Sequence, residues 1–555
     1  DFLEWHHFVF VKDGENKSIW IDGELFHEGV NTTALFDDWT YFAIGSSGTD
    51  VFADAIVDDL GVWARGITAD EVAAIYNGGA GAALISAGTA TPKPRLAGMV
   101  ANGVGISFQL KDVDGATVDP DSIVVNFDGA DVEVTKSTAE GVTTVSYVSP
   151  ELLASESVHI VKVSVKDTNG NSTRLEKEAK VKAYTLVDSS VRVADSLKGD
   201  SGFLVYATQI SSGQGVGTLH GNNWTNAEKQ IAGEYIDPDT EEQYLNEADI
   251  DSFEGWSYYP EIVETVNQNQ DAPGGVGNFQ ANDKGDNTDR EDEPLTGIPG
   301  WGDSTDGAAS EYIALLQLEA GAYKLGVNSD DGFSATIGAN FGDLLAQQIG
   351  VYPGNRGAAS TEFELIVQES GLYPYRVLWW EGGGGAIMEI YSYEIGEKTL
   401  INDPDVEGSI KAYTIAGATV DESTLDRATT GRAKVVSIYP NPGDTMVKGG
   451  TILVTIQNED TSAKQDTIAL TVNGEAVDAS VSRDGNLVTA SYTPDGGLPA
   501  GSVTASFSFE ESNGAQRGSE WSFVVPAIYK REGDAPSEAV GGITVHEYMG
   551  IGGGA

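Results

Sequence analysis

Two short stretches hold the residues whose types and spacing could do chemistry. The first is Gly326-Val-Asn-Ser-Asp-Asp-Gly-Phe333, where Asp330 and Asp331 close an alternating run of Tyr323, Leu325 and Val327 and stand just before a glycine. Adjacent carboxylates on a tight loop present hard oxygens, the ligands calcium takes. The second is Trp379-Trp-Glu-Gly-Gly-Gly-Gly-Ala386. Four glycines leave no side chains to keep a ligand off the backbone. Together the stretches suggest a calcium-assisted binding site at one end of a β-sandwich.

The same residues carry a family resemblance. The run through Gly297-Ile-Pro-Gly300, Gly326-Val-Asn-Ser-Asp-Asp-Gly332, Gly371-Leu-Tyr-Pro-Tyr-Arg376 and Glu381-Gly-Gly-Gly-Gly385 resembles the protective-antigen-type β-sandwich domain, in the version found in very large secreted bacterial proteins. In lectin members such as the yeast flocculins, an Asp-Asp pair holds calcium and calcium holds sugar hydroxyls. The resemblance thus implies Asp330 and Asp331 as calcium ligands. It also implies a ligand-binding set of Asp330, Asp331, Glu381, Gly382, Gly383, Gly384 and Gly385, with Ca2+ as cofactor and a glycan as partner. The second loop offers no side-chain amide to match the flocculin asparagine. Trp380 joins the set as a candidate sugar-stacking ring. Alternation sends Trp379 and Trp380 to opposite faces of a strand, so at least one of them is expected in the core.

Those loops need a β scaffold, and the composition provides one. With 555 residues, 40% of them hydrophobic, the chain has material for several cores. Its 68 glycines and dense Val/Ile/Thr alternation predict an all-β fold of tandem sandwich modules. A net charge of −53 repels phosphate backbones and anionic membranes, which argues against nucleic acid as a partner. The absence of cysteine excludes disulfides and thiolate metal sites. No apolar run reaches the roughly 20 residues of a membrane span, so no insertion is expected in this segment. An acidic, cysteine-free β chain fits an extracellular or cell-surface bacterial setting.

Along the chain, residues 1–87 read as the back half of a laminin-G-like, concanavalin A-like jelly roll. Strands are expected at 5–14, 18–23, 43–45 and 55–63. A helix is expected at 68–76, where Thr68 and Glu71 have capping-box spacing. Residues 88–98 read as a linker and 99–185 as an immunoglobulin-like sandwich. That pattern returns at 433–527: Asp121, Ile123, Gly129, Ser146 and Tyr147 recur as Asp466, Ile468, Gly474, Ser491 and Tyr492, each displaced by 345 positions. Between the copies lies the protective-antigen-type sandwich, 196–403, with a helical patch near 227–233 and an acidic insertion around 283–293. Residues 405–432 read as a connector, and 540–555 as the first strand of a further module. The chain therefore reads as a segment of a longer protein, with neighbouring copies or missing segments completing the half jelly roll.

Catalytic constellations are not evident in the sequence. His6 and His7 point to opposite faces of a strand, and His27, His159, His220 and His546 lie in different modules without metal-ligand spacing. No Gly-x-Ser-x-Gly elbow has partners, and the 382–385 glycines lack the Lys-Ser/Thr of a phosphate loop. The expectation is a non-enzymatic adhesion segment with a calcium-dependent, carbohydrate-binding centre on spacer domains. Two alternatives stand beside it: a structural subunit of a surface fibre or coat that exchanges strands, and the non-catalytic part of a polysaccharide-degrading enzyme.

Overall fold

The computed structural model describes residues 6–13, 16–30, 60–63, 65–79, 93–112, 116–216, 222–252, 255–273, 276–279, 291–394 and 397–527. Strands dominate, as tandem sandwiches require, and the chain divides into two compact units, 1–182 and 183–555.

In the first unit, Phe8–Asp13, Asn16–Ile21 and Glu24–Val30 form an antiparallel three-stranded sheet. The helix Ala69–Tyr76 follows, with both hydrogen bonds of the Thr68/Glu71 capping box in place. Val72, Ile75, Trp63 and Ile67 from this part pack against Val9, Val11 and Trp20 of the sheet. The expected strand at 43–45 lies outside the described residues. Of the one at 55–63, residues 60–63 are described and are not strand.

The two copies of the repeat fold alike. The first pairs Arg95–Asn102, Gly105–Lys111, Val142–Val148 and Thr135–Ala139 in one sheet, and Ser172–Lys180, Val158–Asp167, Val118–Phe127 and Ala130–Val132 in the other. The second has the same strand order, with Lys434–Tyr439, Ile452–Gln457, Leu487–Tyr492 and Ser480–Asp484 in one sheet. Its other sheet holds Glu475–Val477, Ala469–Val472, Gly501–Glu510 and Gln516–Val525. Asp128 and Asn473 both take the left-handed conformation ahead of Gly129 and Gly474, the turn chemistry that short hairpins demand. The expected linker at 88–98 is shorter than read, because Arg95–Asn102 is already a strand.

The central sandwich reaches beyond 196–403. Its six-stranded sheet contains Tyr184–Val187, Ala359–Val367, Gly321–Asp330, Ile387–Glu394, Asn267–Asn269 and Glu397–Leu400. Its eight-stranded sheet contains Lys198–Ser201, Lys411–Ile415, Ala308–Leu318, Gly371–Glu381, Gly332–Ile337, Gln347–Tyr352, Phe203–Gln209 and Pro260–Val263. Part of the expected connector is thus a strand: 411–415 pairs with 315–317. Between the sheets lies a core that includes Phe203, Leu316, Val327, Phe333, Tyr375, Trp379, Met388 and Ile390.

The eight-stranded sheet is covered on its outer face as well. Leu204, Tyr206, Ile313 and Leu315 pack there with Tyr258, Leu372 and Ile415, while Leu378 and Trp380 pack under the helix Trp224–Ile231. Burial on both faces accounts for the nearly unbroken apolar runs at 203–207 and 312–316. The second immunoglobulin-like sandwich docks on this domain. Leu344 and Leu345 join its core, Arg517 pairs with Asp343 and Glu511, and Arg432 Nε meets Glu511 Oε2 at 2.7 Å. The acidic stretch 283–289 and the expected strand at 540–555 lie outside the described residues.

Candidate metal and ligand site

The site sits where the chain twice crosses between the sheets at one end of the sandwich. Strand Gly321–Asp330 belongs to the six-stranded sheet and Gly332–Ile337 to the eight-stranded one, so Asp331 alone makes the first crossing. Strand Gly371–Glu381 ends in the eight-stranded sheet, and Gly382–Ala386 carries the chain to Ile387–Glu394 in the other. Register brings the crossings together, because Gly332 pairs with Trp380 and Asp330 pairs with Ile387. Asp330, Asp331 and Glu381 each offer an oxygen within 4.8 Å of the others. The peptide bond between the two aspartates is cis.

Glycine is needed where these elements touch. A Cβ at Gly385 would stand 2.7 Å from Asp330 Oδ2, and one at Gly332 would stand 2.4 Å from Trp380 Nε1. Gly383, Gly384 and Gly385 are exposed, so the backbone of this loop faces solvent beside the buried acids. Asp306 Oδ1 accepts from the Gly384 amide at 3.3 Å and steadies the loop from the far side.

The three carboxylates are unequally satisfied. Asp331 accepts from the Arg356 amide at 2.8 Å, from the Gly382 amide at 3.1 Å and from Asn222 Nδ2. Glu381 is 1% exposed, and neither of its oxygens has a hydrogen-bond partner. The backbone amides of Gly383 and Asp331 favour the charged form of this carboxyl, but by less than its surroundings oppose it. Burial, followed by the charges of Asp331 and Asp330, pushes the Glu381 carboxyl up to about 9. Asp330 is pushed up to about 6 by burial and then by Asp331, while the Ala358 amide and Arg356 pull the other way.

A buried carboxylate beside two others, with its own oxygens unpartnered, is the arrangement a cation resolves. Calcium–oxygen distances of about 2.4 Å place oxygens on opposite sides of one ion about 4.8 Å apart, so this donor set fits a single shell. All three donors are hard carboxylate oxygens, and Asn222 places an amide beside them. The residues present fit calcium.

Several expectations change in the structure. Glu381, expected in the ligand-binding loop, contributes its carboxylate as a third member of the acidic cluster. A side-chain amide does stand beside the acids, from outside the second loop: Asn222, just before the helix Trp224–Ile231, donates its Nδ2 to Asp331. A sequence signal for it existed only in the Asn222-Asn223 pair, which reads as a helix N-cap and nothing more; Asn223 is that cap. Trp380 is corrected: at 1% exposure it packs with Ala227, Ile231, Ala309 and Leu378, and no ring face is open to a sugar. The helix on that face buries the ring that alternation would have left outside. Trp379 is also core, and its Nε1 donates to the Asp330 carbonyl at 2.9 Å.

No curated protein sequence matches the chain. Residues 3–73 match the concanavalin A-like lectin/glucanases superfamily. Among solved structures, the chain is similar to the PA14 sugar-binding domain from an RTX adhesin, at 20% identity over 37% of this chain and 96% of that one, with a TM-score of 0.22. It is similar to the PA14 domain of the MpAFP antifreeze protein, at 19% identity over 41% and 96%, with a TM-score of 0.23. It is also similar to the Epithelial Adhesin 9 A domain of Candida glabrata in complex with Galβ1-3GlcNAc, at 9% identity over 42% and 96%, with a TM-score of 0.23. No helix among the described residues is long and apolar enough to cross a membrane.

Proposed function

We propose that this chain is a non-catalytic segment of an extracellular adhesion protein whose central sandwich binds carbohydrate with the help of calcium. The observation that carries the reading is the convergence of Asp330, Asp331 and Glu381 at the mouth of an exposed glycine loop, with both Glu381 oxygens buried and unpartnered. Asp330, Asp331 and Glu381 would hold the ion, which supplies open coordination positions for neighbouring hydroxyls. The roles of the chain itself follow from its geometry. Gly382–Gly385 let a ring approach the backbone, Asp306 fixes the loop, and the Arg356 amide and Asn222 hold Asp331 in place. The flanking immunoglobulin-like sandwiches serve as spacers.

The test is calcium calorimetry on the full chain, repeated with Asp330→Ala plus Asp331→Ala, followed by a glycan array with calcium or chelator. Saturable binding lost in the double variant, with glycan retention lost in parallel, supports the reading. Unchanged calcium affinity and unchanged glycan retention in the double variant would reduce the cluster to architecture.

A further inference from the structure

A second group of buried oxygens lies on the outer face of the six-stranded sheet. Cross-strand register places Ser360, Asn328, Glu389 and Asn267 in one row over four adjacent strands. Their neighbours Val327, Met388 and Ile390 point into the core, so this row points away from it. Outward-facing positions are ordinarily wet, yet Glu389 is fully buried, and Asn267 and Asn328 are 2% and 4% exposed.

The cover comes from two segments. Residues 276–279 lie over Glu389 so closely that a Cβ at Gly277 would stand 2.2 Å from Glu389 Oε1. The Asn278 amide donates to Glu389 Oε1 at 2.8 Å, and Asn278 Nδ2 donates to Oε2 at 2.7 Å. On the other side, Glu293 exchanges backbone hydrogen bonds of 2.9 Å with Asn267 and Asn269 and brings Asp292 alongside.

Three features of this pocket point to a ligand. Glu389 has no ion pair with a basic side chain among the described residues, although it is fully buried. Asn328 Nδ2 donates to Glu389 Oε2 at 2.7 Å, which fixes Asn328 beside the carboxylate. The Oδ1 atoms of Asn328 and Asn267, on either side of Glu389, are both buried and unpartnered. Orphaned buried carbonyl oxygens flanking a buried carboxylate are costly on their own. They also match the mix of carboxylate and amide oxygens that calcium accepts. Burial raises the Glu389 carboxyl above its ordinary range, and the Asp292 charge adds to this.

We propose that Glu389, Asn328 and Asn267 form a second calcium-class cation site, which clasps segments 276–279 and 291–293 onto the sheet. It lies about 7 Å along the strand from Asp330, two residues at about 3.3 Å each, and its ligands differ from those of the Asp330–Asp331–Glu381 cluster. The role is structural: the ion fixes the cover of the sheet next to the sugar-binding end.

The test is calcium titration of the full chain at physiological ionic strength with magnesium in excess, combined with hydrogen exchange. Two saturable events are expected. Asp330→Asn plus Asp331→Asn removes one, Glu389→Gln removes the other, and calcium slows exchange in 276–279 only when Glu389 is intact. Asn267→Ala keeps every hydrogen bond to Glu389 and is expected to weaken the second event about tenfold, which keeps the test decisive if Glu389→Gln folds poorly. A single event, abolished by the aspartate pair and untouched by Glu389→Gln and Asn267→Ala, would overturn the second site and leave the first standing. A single event lost only in Glu389→Gln would establish the second site and remove the first.

Discussion

Replacing Glu381 by glutamine should have opposite effects with and without calcium. In the calcium-free protein the carboxyl, with an ordinary value of 4.5, is pushed up to about 9. Between those values the folded chain holds a proton that the unfolded chain releases, so stability falls as pH rises through this window and is complete below it. At about 1.36 kcal/mol per pH unit, keeping Glu381 protonated at pH 7 costs about 3 kcal/mol. Glutamine occupies the same space with no proton to hold. Glu381→Gln should therefore be more stable than the parent by up to about 3 kcal/mol at pH 7 in chelator. The gap should widen towards pH 9 and close below pH 4.5. With calcium the order changes. The parent should gain stability from an ion held by three carboxylates, whereas the variant has lost one of those charges and should bind about tenfold more weakly or worse. The assay is denaturant unfolding from pH 5 to 9 with calcium and with chelator, together with calorimetric affinities. If the variant is no more stable than the parent in chelator at any pH, and binds calcium equally well, the account of Glu381 is wrong.

Three further outcomes follow from the same geometry. Gly385→Ala drives a methyl group to 2.7 Å from Asp330 Oδ2; calcium affinity should fall while the calcium-free melting temperature stays near the parent's, read by calorimetry and thermal melts. Trp380→Ala empties a core position beneath the helix Trp224–Ile231. It should cost about 3–5 kcal/mol in denaturant unfolding, by the same amount with calcium or chelator, whereas a ligand-stacking tryptophan would show its loss in glycan affinity. Arg517→Ala leaves Asp343 and Glu511 buried without their shared partner. A loss of about 3–5 kcal/mol is expected, with the central and second immunoglobulin-like sandwiches separating into two calorimetric transitions.

What could be read in advance was local. Asp330-Asp331-Gly332 and the four glycines are contiguous signals, and both sit at the strand ends where the sequence places them. The Thr68/Glu71 capping box needs only four residues, and it formed. The repeat was legible because its evidence is a constant offset, and equal strand order in the two copies follows from it. The misreadings came from coverage, which single-strand patterns do not record. Trp379 and Trp380 do alternate, but a helix beginning more than 150 residues earlier covers the outer ring. Residues 411–415 look like a connector, because what makes them a strand is a pairing with 315–317 almost a hundred residues away.

The role of Glu381 shows why the acidic cluster exceeds the motif that announced it. In sequence it is one acid among 85, preceded by two tryptophans and followed by glycines. Its position is set by two registers: Ala308 against Glu381 within the eight-stranded sheet, and Gly332 against Trp380 beside it. Shifting either by one residue would turn Glu381 to the opposite face and leave Asp330 and Asp331 as an ordinary pair at a strand end. The same argument holds for Glu389, which only the row from Asn328 to Asn267 sets between two amide oxygens. In both places the aspartate, glutamate and asparagine side chains are individually common. The strand register gathers hard oxygens where water is excluded, and a cation bound there would let the carboxylates keep at neutral pH the charge that burial otherwise opposes.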